Sequence, residues 1–97
     1  MDEIKISTKA GQEFEVRLPS NPSTGYAWHV TAQPGGIRLL DSNFEAPERA
    51  QPVAGAAGEQ VFRFLAGQSG NYEIEIELKR AWEQQPIDKR RVEVNVQ

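Results

Sequence analysis

Apolar residues recur at every second position along most of the chain, the period expected of half-buried β-strands. The pattern is cleanest where Tyr72, Ile74, Ile76 and Leu78 alternate with Glu73, Glu75, Glu77 and Lys79. It also runs through residues 12–18, where Phe14, Val16 and Leu18 point one way and Glu13, Glu15 and Arg17 the other. Ile4 and Ile6 mark a first short strand, and Tyr26, Trp28 and Val30 a third. Residues 37–40 begin a fourth that can run on toward Phe44, residues 61–65 form a fifth, and Val92, Val94 and Val96 close the chain. Lys9-Ala10-Gly11, Gln33-Pro34-Gly35-Gly36 and Gly67-Gln68-Ser69-Gly70 read as tight turns. About seven short strands, punctuated by turns at roughly 8–15-residue spacing, predict an all-β, immunoglobulin-like antiparallel β-sandwich. Trp28 suits the buried core tryptophan of such a fold, and a small closed barrel is the competing architecture.

Loop position adds information that strand pattern alone does not. In a chain that reverses at every connection, alternate loops lie at opposite ends. The odd connections here are the short glycine-containing turns. The even ones span residues 21–25, 45–59 and 80–88 and are the elaborate ones. All three are thus expected to crowd one end of the sandwich, where immunoglobulin variable domains carry their binding loops.

Ninety-seven residues suffice for one core, so residues 1–97 are expected to form a single domain. With no cysteine there is no disulfide, no thiolate catalysis and no Cys-type zinc site, and packing must hold the sheets together. A net charge of −3 argues against nucleic acid, whose binding needs a basic patch. No apolar run approaches the roughly 20 residues of a membrane helix. The start, Met1-Asp2-Glu3-Ile4-Lys5, lacks a signal-peptide layout, so a cytoplasmic location is expected; a mature periplasmic or secreted chain would look the same. A monomer with no cofactor and no metal is the expectation.

Among candidate sites, Asn21-Pro22-Ser23-Thr24-Gly25-Tyr26 is the most specific. Pro22 fixes its own φ and pushes Asn21 toward extended geometry, while Gly25 permits a positive φ. Asn21 can fold its side chain onto the following backbone, leaving two small hydroxyls, Ser23 and Thr24, at a stiff tip. An ordinary turn is the plain alternative. Trp82, in Arg80-Ala81-Trp82, falls just past the strict alternation of its strand. Burying it would remove about 150–250 Å² of surface from water, yet Trp28 already fills the core role. Trp and Arg are also the residue types enriched at interface hot spots, so Trp82 is expected to be exposed at the loop end. Gly55-Ala56-Ala57-Gly58 can be a hinge or a tip that lets backbone approach a partner closely.

Catalytic alternatives are poorly supported. A triad of Ser23, His29 and an acid fails because strand geometry turns His29 away from the loop tip, and no nucleophile elbow is present. The row Glu73, Glu75 and Glu77 lacks the Asp/Asn/Gly chemistry of a calcium loop. Lys89, Arg90 and Arg91 on the adjoining strand offer it cross-strand partners instead.

The three segments together resemble the signature loops of the chagasin family, inhibitors of papain-like cysteine peptidases, whose motifs run roughly Asn-Pro-Thr-Thr-Gly-Tyr, Gly-x-Gly-Gly and Arg-Pro-Trp. Their order, their spacing and the domain length all fit. The resemblance implies an immunoglobulin-like sandwich, not an enzyme, whose three loops form a wedge in the peptidase cleft. Ser23, Thr24 and Gly25 would meet the catalytic Cys–His pair. Arg80 and Trp82 would pack along the primed side, and the glycine segment would brace the other side. Three departures bear on potency. Ser23 replaces Thr, losing a methyl and χ1 stiffness. Ala57 replaces Gly, so a positive φ there would carry strain. Ala81 replaces Pro, so Trp82 is less preorganised. A structural or adhesive immunoglobulin-like module using the same loops for a non-peptidase ligand is the alternative from another class.

Overall fold

The structure, a computed structural model, describes residues 3–21, 24–45 and 58–97. Its elements are β1 (Glu3–Thr8), β2 (Glu13–Ser20), β3 (Tyr26–Ala32), β4 (Ile37–Glu45), β5 (Gly58–Ala66), β6 (Gly70–Arg80) and β7 (Asp88–Val96). They form two separate sheets, one ordered β1-β7-β6-β3 and the other β2-β5-β4. The chain is therefore the immunoglobulin-like sandwich expected, and not the closed barrel. Every pairing is antiparallel except that of β1 with β7.

The period of two decides which side chains meet between the sheets. Phe14, Val16 and Leu18 from β2, with Phe62, Phe64 and Ala66 from β5, face Ile74 and Ile76 of β6 and Val92, Val94 and Val96 of β7. Phe64 sits at the centre, fully buried, with ring centroids 5.3 Å from Phe14 and 6.3 Å from Phe62. Such offset pairs contribute about 0.5–1.5 kcal/mol beyond their buried area. Trp28 completes the core at 2% exposure, as its place in the alternation predicts.

Two strands depart from the apolar pattern. β5 begins at Gly58, three residues before its first apolar position, because Gly58 pairs with Ser20 of β2 and Glu59 pairs on both sides, with Pro19 of β2 and Glu45 of β4. Gly58, expected as part of a loop segment, is thus a strand residue. A Cβ there would overlap the Glu45 carbonyl oxygen and the Phe44 ring, so its missing side chain lets β4 close in. β4 itself extends to Glu45 across a register shift between Leu39 and Asp41, a bulge that re-aims the second half of this edge strand.

Two of the three expected partners of the glutamate row take that place. Lys89 reaches Glu77 at 3.5 Å, and Arg91 reaches Glu73 at 3.4 Å and Glu3 at 3.6 Å. Arg90 turns toward the other face. It is opposite Ile76 in register and shares the inward face of β7, where its guanidinium stacks 5.1 Å from the Trp28 ring and pairs with Asp88 at 2.7 Å. On the outer face of the other sheet Arg63 pairs with Asp41. That hydrogen bond holds the Asp41 carboxyl below the usual aspartate range and raises Arg63.

The odd connections, residues 9–12, 33–36 and 67–69, lie at one end of the sandwich. The strand ends that flank the even ones lie at the other.

Candidate functional site

At the second end, the β2–β3 connection closes on itself through Thr24. The Thr24 amide donates to the Asn21 carbonyl at 3.1 Å, and its hydroxyl donates to the same oxygen at 2.8 Å. The Tyr26 amide donates in turn to that hydroxyl at 3.3 Å. Thr24 is exposed, but its hydroxyl proton is already committed inside the loop. Gly25 adopts φ +83°, the left-handed conformation its sequence position predicts. Pro22 and Ser23 lie outside the described residues.

The β6–β7 connection opens with a tight turn in which the Glu83 amide donates to the Arg80 carbonyl at 3.0 Å. Ala81 occupies the second position of that turn and Trp82 the third, which is why a family proline at position 81 would fit: proline favours the second position. The turn throws Trp82 outward, and it is 74% exposed.

Arg80 ties these two loops together. Its backbone pairs with Tyr26, and its Nε donates to the Thr24 carbonyl at 3.3 Å. Its guanidinium lies 4.4 Å from the Tyr26 ring centroid and 5.7 Å from that of Trp82. Both distances are within cation–π range, where each contact contributes about 0.5–1 kcal/mol at exposed sites. The Trp82 ring reaches over Gly25, so that a Cβ on Gly25 would be 3.7 Å from the indole. Thr24, Gly25, Tyr26, Arg80 and Trp82 therefore form one continuous surface, as loop parity anticipates. Trp28 anchors it from beneath: its indole Nε1 donates to the Pro19 carbonyl at 2.8 Å, at the entrance to the first loop.

The third connection, residues 46–57, lies outside the described residues, and with it Gly55, Ala56 and Ala57. Its two stems are described and stand at the same end, Gly58 opposite Ser20 and Glu45 opposite Glu59. Arg17 clamps those stems, reaching Glu45 at 2.8 Å and Glu59 at 3.4 Å. The Glu45 and Glu15 carboxylates hold its guanidinium pKa above the ordinary arginine value.

Two exposed apolar residues join the described loop end that the motifs did not flag. Ile87, 59% exposed, ends the β6–β7 connection, and Phe44, 42% exposed, stands beside Gly58 on β4. An isolated Ile before the charged run Asp88-Lys89-Arg90-Arg91 carries no periodic signal, so only coordinates reveal it. His29 stands opposite Glu77 on β3, three residues past Tyr26 and alternating with the inward Trp28.

The family model described as chagasin family peptidase inhibitor I42 matches residues 7–96. Amoebiasin-1 of Entamoeba histolytica is 28% identical over 93 residues, covering 95% of this chain and 89% of that protein. Chagasin of Trypanosoma cruzi is 28% identical over 83 residues, covering 79% and 73%. The crystal structure of EhICP2, a cysteine protease inhibitor from Entamoeba histolytica, superposes with a TM-score of 0.75 at 19% identity over 99% of this chain and 95% of that one. PbICP-C, solved in complex with falcipain-2, gives a TM-score of 0.66 at 17% identity over 99% and 88%. At those identities the two structures speak to the fold, and the family match, spanning nearly the whole sequence, makes the assignment: this chain belongs to the chagasin family of peptidase inhibitors.

Proposed function

We propose that this chain is a reversible, tight-binding inhibitor of papain-like cysteine peptidases that fills the active-site cleft with the loops at one end of its sandwich. One observation carries the placement: Arg80 binds the Thr24 carbonyl and stacks between Tyr26 and Trp82, so two motif-bearing loops present a single rim.

The target nucleophile is a thiolate held beside an imidazolium. In this reading Asn21, Pro22, Ser23, Thr24, Gly25 and Tyr26 approach that pair. Because the Thr24 hydroxyl donates internally, the polar contacts there come from Ser23 and from backbone groups around Gly25. A loop closed on its own hydrogen bonds offers no relaxed peptide in attack geometry, so it blocks without being cut. Arg80, Ala81 and Trp82 supply the aromatic and cationic anchor, and Gly55, Ala56, Ala57 and Gly58 the opposite flank. Such an interface buries about 800 Å² per partner, with most of the affinity in a few anchors.

Titrating papain with the protein and following residual activity tests this. A stoichiometric fall in activity, with the inhibitor recovered at intact mass, is the expected result. Full activity at micromolar protein would overturn it.

A further inference from the structure

Trp28 is held from three directions, and each hold reaches a strand that enters or leaves a different loop. Its indole N–H binds Pro19, which leads into the first loop. Its ring face carries Arg90, on the strand that leaves the β6–β7 connection. The third hold comes from Gln60 on β5, two residues past the stem of the 46–57 connection. The Trp28 amide donates to Gln60 Oε1 at 2.9 Å, and Gln60 Nε2 donates to the Trp28 carbonyl at 2.9 Å.

The geometry has a physical reason. β3 is an edge strand, and in an antiparallel ladder alternate residues turn their N–H and C=O away from the neighbouring strand. At Trp28 those two groups point away from β6, where no further strand among the described residues pairs with them. A primary carboxamide presents its acceptor oxygen and one of its two N–H donors side by side, so a single Gln side chain substitutes for a strand partner. Gln60 sits in the other sheet, so this pair of bonds joins the sheets on the open side. With β4 and β5 held to β3 here, the stems of the 46–57 connection are fixed relative to the rim built from Gly25, Arg80 and Trp82.

We propose that Gln60 is a positioning residue for inhibition: its carboxamide bridge to Trp28 sets the ends of β4 and β5, at Glu45 and Gly58, against the rim built from Gly25, Arg80 and Trp82. The role rests on the inhibitor reading, but its geometric half does not. Gln60→Met keeps length and volume and removes both bonds. Gln60→Glu keeps the acceptor, loses the donor at neutral pH, and regains a donor when its carboxyl is protonated.

Three readouts test the proposal together: the inhibition constant against papain, the melting temperature, and the distance distribution between nitroxides at Asn43→Cys on β4 and Gln84→Cys beside Trp82. The chain has no native cysteine, so labelling is site-specific. In Gln60→Met the inhibition constant rises about tenfold at temperatures where the protein remains folded, and the distance distribution broadens. In Gln60→Glu the inhibition constant, relative to the wild type at each pH, rises at pH 7 and recovers toward pH 4.5. A lower melting temperature with unchanged inhibition and an unchanged distribution would make Gln60 merely structural and overturn the proposal. If the wild-type protein does not inhibit, the function reading falls, and the distance distribution alone decides: broadening upholds the bridge, and no change overturns it.

Discussion

The two ends of this sandwich are tied from one connection to the next by different parts of the polypeptide. At the short-turn end neighbouring connections are stitched to one another main chain to main chain. Gly11 donates to the Ala66 carbonyl at 2.7 Å and Ala66 to that of Gln12 at 2.9 Å. Gly67 donates to the Gly36 carbonyl, and Gln97 and Ala10 close the corner with Thr8. At the loop end the prominent ties are made by side chains: Arg80 across two loops, Thr24 within one, Trp28 beneath, Arg17 on the outer stems. A backbone stitch barely depends on residue identity, whereas a side-chain tie is written in the sequence and can be retuned. One end is therefore a generic closure and the other a surface whose shape varies with substitution, which suits an inhibitor that must match a particular cleft.

The contrast can be broken most forcefully at Trp28. Trp28→Ala removes a fully packed indole and its hydrogen bond, and should cost about 3–5 kcal/mol of stability in urea unfolding. Trp82→Ala is the counterpart on the rim. With 74% of the residue in solvent, its loss should leave the melting temperature nearly unchanged while raising the inhibition constant about 30-fold, the scale of a hot-spot residue. A large drop in melting temperature would mean that the ring is structural after all.

Gly36→Ala probes the opposite end. A Cβ there would overlap the Tyr72 phenol, whose hydroxyl binds the Ser69 carbonyl, so about 1–3 kcal/mol of stability should be lost to overpacking. Inhibition by the folded fraction should not change, because this turn lies far along the strands from the rim. The smallest effect is a gain. Ala81→Pro places proline at the second position of the Arg80–Glu83 turn, preceded by an extended residue that tolerates it. Restricting that loop should tighten inhibition two- to fivefold, corresponding to about 0.4–1 kcal/mol of conformational entropy.

Much of this molecule was legible before any coordinates. The strict alternation from Tyr72 to Leu78 dictated β6 and its buried Ile74 and Ile76, and loop parity placed Gly25 and Trp82 at one end. What escaped lay where residue type carries no period. Lys89-Arg90-Arg91 is uniformly charged, so nothing in the sequence says that Arg90 turns inward to stack on Trp28. Gly58, Glu59 and Gln60 are not apolar, so the start of β5 depends on two ladder partners that only topology supplies. Thr24 was expected to offer a hydroxyl, but the turn uses it first. Ser23 and the Gly55–Ala57 part of the glycine segment remain motif readings.

The account rests most heavily on the side-chain-tied end being the one that meets the peptidase. Amide hydrogen exchange of the protein, free and bound to papain inactivated at its thiol by a small methyl cap, measures this directly. Slowing of exchange in residues 21–26, 46–58 and 80–87, with residues 9–12, 33–36 and 67–70 unaffected, is the predicted footprint. Protection centred on the short turns, or along the charged outer face of β6 and β7, would contradict it.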